Sequence, residues 1–313
     1  MRAGIIEHFG APDVVELGEV ARPEPGEGEV LVRVAAAGVG PWDAWVRSGK
    51  SIIEQALPLT LGSDIAGSVQ KIGRGVTGFA VGEHVYGVTN ARFTGGYAEF
   101  AVARAVGLAP KPRRLTFVEA ASVPVVAVTA LQMLFDHARC TEGDRVLVLG
   151  AGGNVGAYAL QLARNARADV VGSDVGLAQA YARTLGIGPV IGPLTNAPVK
   201  PMTAFDIIID AVGGDAQRLA LALLKPGGRL VSSVTKPDAS EAARLGVHAT
   251  FMLVEVTTSA LVRIAKSFDS GALVSHVGTV LPLTEARAAH AMLDGQLPRA
   301  PGKIVLEVAD GSA

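Results

Sequence analysis

The chain has 313 residues, 49% of them apolar and 18% charged, enough for two domains with sizeable hydrophobic cores. Its 28 Lys and Arg against 29 Asp and Glu provide no field to gather nucleic acid, an anionic membrane or a polyanionic substrate, and favour a neutral small-molecule partner. A single cysteine, Cys140, excludes an intramolecular disulfide and a cysteine cluster of the structural-zinc kind.

The N-terminal run MRAGIIEHFG lacks the long apolar core of a signal peptide, and the most apolar later stretch, 120–135, is interrupted by Ser122, Pro124, Thr129 and Gln132. A cytoplasmic protein with no membrane insertion is expected. Through residue 118, short apolar runs such as Val30–Ala36, punctuated by PEPGEGE, VGPW and TGGY, read as a strand-rich, barrel-like domain. Thr116 and Glu119 have the spacing of a capping box, so an apolar helix is expected to follow toward Ala138 and carry the chain into a second domain.

From Arg145 the pattern changes. Apolar strands at Val146–Leu149, Val170–Ser173, Ile207–Ala211 and Arg229–Val234 alternate with segments of helical period, which predicts parallel βαβ units. A helix over Pro282–Leu293 and a strand over Lys303–Val308 then return to the β-rich part. The expected division is 1–118 with 272–313 for the β-rich domain and 119–271 for an α/β domain.

The run RVLVLGAGGNVGAYALQLAR sets Gly150, Gly152, Gly153 and Gly156 between a buried strand and a helix whose Val155, Ala159, Leu162, Ala163 and Ala166 recur at helical spacing. Gly150 and Gly153 allow a tight turn and close approach to a pyrophosphate, Gly156 allows the helix to pack on the strand, and the N–H groups at Asn154 and Val155 face the phosphates. The spacing is not the strict GxGxxG, and an ordinary glycine-rich turn is the competing reading. Asp174 follows Ser173 at the end of the second strand, near the separation of about 20 residues at which a carboxylate meets the adenosine ribose and repels a 2′-phosphate. A helix N-cap is the alternative role for Asp174. Ala211, Val212 and Gly213, and likewise Ser232 and Ser233, follow strands at the carboxyl ends where ligands of open α/β sheets lie.

Taken together, AAGVGPWDAWVRSG, LPLTLGSDIAGSV, GVTGFAVGEHVYG, GGYAEF, AASVPVVAVTAL, the glycine loop and GKIVLEV resemble the medium-chain dehydrogenase/reductase superfamily almost end to end, and most of all its zinc-free quinone oxidoreductases, the zeta-crystallin-like branch. The resemblance implies an α/β fold with a GroES-like β-rich catalytic domain and a Rossmann doubly wound parallel-sheet cofactor domain. It implies an NAD(P)H-dependent enzyme that passes hydride to a quinone or an α,β-unsaturated carbonyl as small-molecule electron acceptor, and a homodimer, for which the apolar stretch Thr250–Val256 offers a sheet edge. Thr129 matches a threonine near the nicotinamide. Family habit favours NADPH, whereas Asp174 favours NADH.

Departures matter as much. Where the alcohol-dehydrogenase branch has a zinc-binding Cys and a Gly-His-Glu segment, this chain has Gly40 and Gly62-Ser63-Asp64, so no metal is expected. Many relatives carry an Asn and an aromatic hydroxyl around the motif Asp; here Gly40 and Trp45 surround Asp43, which leaves no dedicated proton donor and the catalytic residues unassigned. Gly40, Trp42, Trp45, Phe93 and Phe251 are candidate walls of a flat-substrate site in a cleft between the domains, with plain packing as the alternative. Asp43 and Arg47, four apart, are expected to pair structurally, and His84, His137, His248, His276 and His290 show no metal-ligand spacing. Two rival functions stay open: a cofactor-binding, non-catalytic crystallin-like protein, and an enoyl-thioester reductase of a biosynthetic pathway.

Overall fold

A computed structural model describes residues 1–194 and 205–308, so the last five residues of the expected 272–313 segment lie outside the described part. The chain opens with β1 (Arg2–Ile6), β2 (Glu16–Glu19), β3 (Glu29–Val39), α1 (Pro41–Arg47), β4 (Leu59–Thr60), β5 (Asp64–Ile72), β6 (His84–Val88), β7 (Phe100–Arg104), β8 (Leu108–Pro110) and α2 (Phe117–Ala121). It continues through α3 (Pro124–Leu131), β9 (Arg145–Leu149), α4 (Asn154–Asn165), β10 (Asp169–Ser173), α5 (Gly176–Thr184), β11 (Val190–Ile191), β12 (Phe205–Asp210), α6 (Gly214–Leu221), β13 (Leu224–Ser232), α7 (Ala239–Leu245) and β14 (His248–Phe251). It closes with α8 (Thr258–Asp269), β15 (Val277–Pro282), α9 (Ala286–Leu293) and β16 (Lys303–Glu307).

These elements form two compact units, 1–125 with 256–313 and 126–255. The first holds a small antiparallel sheet, β2-β1-β4, and a larger one ordered β15-β16-β3-β5-β6-β8, with β7 also paired to β3. Register shifts between β3 and β5 bend this long pair, as bulges do. Val30, Val32, Val34, Ile65, Val69, Val85, Leu108, Ile304 and Leu306 supply the inward faces.

The second unit is one parallel six-stranded sheet ordered β11-β10-β9-β12-β13-β14. Counted from β9 the order is 3-2-1-4-5-6, the doubly wound arrangement whose direction reverses between its first and fourth strands. Val146, Leu147, Val148, Ile207, Ile208 and Ile209 are fully buried, as central strands covered on both faces must be. Among the described residues no helix is long and apolar enough to cross a membrane.

Three expectations change. The helix after Thr116 begins with the expected capping box but stops at Ser122, and α3 starts afresh at Pro124, which cannot donate into a continuing helix. After Leu131 the turns widen to a π-helix over Gln132–His137. The unit boundaries also differ from 118/119 and 271/272, because Val125 N–H donates to Asp64, and α8 belongs with the first unit: Tyr86 Oη donates to Leu261 O at 2.7 Å and Thr258 Oγ1 to Leu108 O at 2.8 Å. Finally, β13 starts at Leu224 and ends at Ser232, and only the first two residues of the Thr250–Val256 stretch are in a strand, the sheet-edge strand β14.

Candidate cofactor and substrate sites

The glycine loop lies at the strand reversal of the second unit. Gly150 leaves β9 with a φ of 75°, and the N–H groups of Gly150 and Ala151 both donate to Ser173 O. α4 starts at Asn154 with Gly153 as N-cap, so no side chain caps its first turn. Those N–H groups therefore face outward unsatisfied by any side chain, as an anion-binding terminus requires. A Cβ on Gly156 would stand 1.9 Å from Gly150 O, and one on Gly152 1.8 Å from Ala178 O. A turn packed this closely against an uncapped helix fits a dinucleotide pyrophosphate.

Asp174 is not a helix N-cap. Val175 holds that position on α5, while the Asp174 carboxylate accepts Gly152 N–H at 2.7 Å and Val175 N–H at 2.8 Å. It braces the glycine loop, and each oxygen keeps a second lone pair for a ribose hydroxyl. Ser173 Oγ donates to Gly192 O and is buried. Thr129 is buried on α3. Ala211–Gly213 follow β12 and Ser233 follows β13, with Ser232 as the last residue of that strand, so both groups stand at the carboxyl edge of the sheet.

Sequence reasoning missed how those two loops are joined. Asp210, fully buried at the end of β12, accepts Val212 and Gly213 N–H groups on Oδ1 and the Gln217 amide on Oδ2. The only advance signal was an Asp closing an apolar strand before Ala-Val-Gly-Gly; its partner Gln217 lies on α6.

In the first unit, Gly40 and Trp42 form one feature. A Cβ at residue 40 would lie 2.4 Å from indole carbons of Trp42, so the indole fills the space that a side chain there would need. Trp42 Nε1 donates to Ser63 Oγ at 3.3 Å, the Lys303 ammonium lies 4.2 Å from its ring centroid, and the Phe93 ring is 6.2 Å away. Lys303 is 1% exposed and bonds Asp64 Oδ2 at 3.0 Å. Trp45 stands apart, half-exposed on α1. Phe251 belongs to the second unit, half-buried at the end of β14.

The expected Asp43–Arg47 pair does not form. Asp43 is fully buried and reaches back to Gly40 N–H at 2.8 Å while accepting Tyr97 Oη at 2.8 Å. Arg47 turns instead to Asp294 at 2.7 Å and to His290 Nδ1 at 3.2 Å. A guanidinium only donates, so the His290 proton sits on Nε2. Burial raises the Asp43 carboxyl to about 7, while burial, with the Arg47 charge second, lowers His290 to about 3.

These shifts oppose each other in stability. Between about pH 4 and 7 native Asp43 holds a proton that the unfolded chain has released, so its contribution weakens as pH rises. Between about pH 3 and 6.5 unfolded His290 holds a proton that the native state lacks, so stability there rises with pH. Relative to wild type, Asp43→Asn is expected to lose melting temperature on acidification from pH 6.5 to 4, and His290→Gln on alkalinisation from pH 4 to 7. Melting curves of the three proteins across this range check it; parallel curves would mean that neither group is shifted.

Comparison with known proteins bears on these sites. The alcohol dehydrogenase GroES-like domain profile matches residues 26–113 and the zinc-binding dehydrogenase profile residues 189–306. A quinone oxidoreductase of Mus musculus is 31% identical over 310 residues, 93% of each chain. The chain belongs to the zeta-crystallin-like quinone oxidoreductase branch of the medium-chain dehydrogenase/reductase superfamily. An alcohol dehydrogenase superfamily protein from Novosphingobium aromaticivorans superposes with a TM-score of 0.90 at 29% identity, covering 99% of this chain and 100% of that one. A mycobacterial protein solved in complex with NADPH superposes at 0.87 with 27% identity, covering 98% and 100%.

At the positions matched above to the zinc ligands of the alcohol-dehydrogenase branch, the residues present are poor zinc ligands. The indole of Trp42 covers Gly40, Ser63 offers a hydroxyl bonded to that indole, and the Asp64 carboxylate is engaged by Lys303 and Val125 N–H. Among the described residues no three His, Cys, Asp or Glu side chains converge as a metal site.

Proposed function

We propose that this protein is an NAD(P)H-dependent reductase of quinones and α,β-unsaturated carbonyl compounds that works without zinc. The observation that carries the reading is the uncapped start of α4 behind a glycine turn too tight for any Cβ at Gly156, at the strand reversal of a 3-2-1-4-5-6 parallel sheet. The kinship with quinone oxidoreductases supports the acceptor class.

When bound, the nicotinamide supplies a hydride for the electron-poor carbon of the acceptor. The backbone N–H groups of Asn154 and Val155 would receive the pyrophosphate, Gly150 and Gly153 would let it approach, and Gly156 keeps α4 packed against the end of β9. Asp174, held by Gly152 and Val175, offers acceptor lone pairs to the adenosine ribose and negative charge against a 2′-phosphate. Trp42 and Phe93, 6.2 Å apart and tilted by 51° to each other, offer the acceptor an apolar corner. The indole N–H of Trp42 is engaged by Ser63 and releases no proton at ordinary pH, so Trp42 is not the proton donor to the reduced acceptor.

The test is a titration of the purified protein with NADH and NADPH, then addition of 1,4-benzoquinone and an acyclic enone. NADH is expected to bind more tightly and to be oxidised on adding either acceptor. Asp174→Ser should move the preference toward NADPH by about 1.4 kcal/mol, a tenfold change in the ratio of Kd values. Tighter NADPH binding by the wild type would reduce Asp174 to a brace of the loop, and cofactor bound but never consumed would replace the reductase reading with that of a binding protein.

A further inference from the structure

Gln217 sits on the first turn of α6, 6% exposed, and its side-chain amide reaches across two loops. Nε2 donates to Asp210 Oδ2 at 2.8 Å, at the end of β12, and lies 3.0 Å from Thr235 O and 3.2 Å from Thr235 Oγ1, in the loop after β13. The rest of the seam is tied to the same groups. Asp210 Oδ1 holds the Val212 and Gly213 N–H groups, Asp210 O accepts Ser233 N–H, and Ser232 Oγ accepts the Val234 and Thr235 N–H groups. Gly213 adopts a φ of 77°, and a Cβ on it would stand 2.9 Å from Thr235 Oγ1, so the two loops are in close contact at this point.

The side of the sheet matters. The glycine loop and Asp174 serve β9 and β10, the half to which a doubly wound sheet assigns the adenosine. The loops joined by Gln217 follow β12 and β13, on the other side of the reversal, where the second half of a dinucleotide must lie. We propose that Gln217 is a positioning residue: by bonding Asp210 and Thr235 together it holds both loops in the one arrangement that receives the nicotinamide half of the cofactor. This rests on the cofactor reading above. A buried amide is suited to the task, since it donates to a carboxylate and a carbonyl together, which neither a hydrocarbon nor a carboxylate does.

Two variants of similar volume separate this role from packing. Gln217→Leu removes the donor, and Gln217→Glu sets a second carboxylate against Asp210, a like-charge pair that a shared proton relieves. Calorimetric titrations with oxidised dinucleotide and with ADP-ribose, at pH 8 and pH 5.5, give the readout. The ratio of dinucleotide to ADP-ribose affinity should fall about tenfold in Gln217→Leu at both pH values. In Gln217→Glu it should fall comparably at pH 8 and recover at pH 5.5, where the protonated pair again supplies a donor. Equal losses for both ligands, or a Gln217→Glu defect indifferent to pH, would reduce Gln217 to structural filling. Failure of the wild type to bind any dinucleotide would overturn the cofactor reading itself, and the positioning role with it.

Discussion

Gly156→Ala is expected to raise the cofactor Kd at least about tenfold and to lower the melting temperature together. Its Cβ would stand 1.9 Å from Gly150 O and 2.7 Å from Gly150 C, backbone atoms fixed by the bonds of Gly150 and Ala151 to Ser173 O. Neither side can give way alone, so α4 must lift from the end of β9; overpacking of this kind costs about 1–3 kcal/mol. Lifting α4 also moves the N–H groups proposed to receive the pyrophosphate, which couples the stability loss to the affinity loss. Gly153→Ala is the internal comparison, since its Cβ would stand 3.2 Å from the same oxygen and should cost much less stability. Calorimetry and thermal melts on both variants check this. Cofactor binding by Gly156→Ala at wild-type strength would show that the loop is not the phosphate cradle.

The second large effect is expected at Lys303. Its ammonium neutralises Asp64 inside the first unit, where both side chains are buried. Burial raises the Asp64 carboxyl, and Lys303 acts against that. In Lys303→Met the carboxylate keeps only the Val125 N–H at 3.3 Å and must take up a proton or remain an uncompensated buried charge. Breaking one side of such a pair costs about 3–5 kcal/mol, whereas replacing both partners can be nearly neutral. Urea unfolding should therefore place Lys303→Met well below wild type and the double variant Lys303→Met/Asp64→Asn between the two. Additive losses in the double variant would mean that the two groups do not depend on each other.

The parts of this protein legible in its sequence are those governed by neighbours along the chain. The capping box at Thr116 and Glu119, the four inner strands of the parallel sheet and the glycine turn before α4 all depend on residues within a few positions of one another. Local pattern also explains where the reading failed. Asp43 and Arg47 have the spacing of a helical ion pair, yet each turns to partners far along the chain, Tyr97 for one and Asp294 for the other. For Asp174 the sequence left an N-cap open beside the ribose contact, and its carboxylate is instead drawn to the Gly152 N–H in the loop after the neighbouring strand β9.

Sequence by itself determined the parallel βαβ units of the second unit and the position of its glycine turn, because strand period, helix period and glycine spacing are short-range properties, while the family and the doubly wound order followed from the resemblance of its motifs. Only the tertiary structure decided what the buried polar groups do. Lys303 meets Asp64 across 239 residues and His290 meets Arg47 across 243. Burial then forces each of these groups to find a partner or to shift its protonation. The indole of Trp42 in the place of a residue-40 side chain, and the Gln217 link between two loops, arise the same way: packing chose among contacts that sequence alone left equally possible.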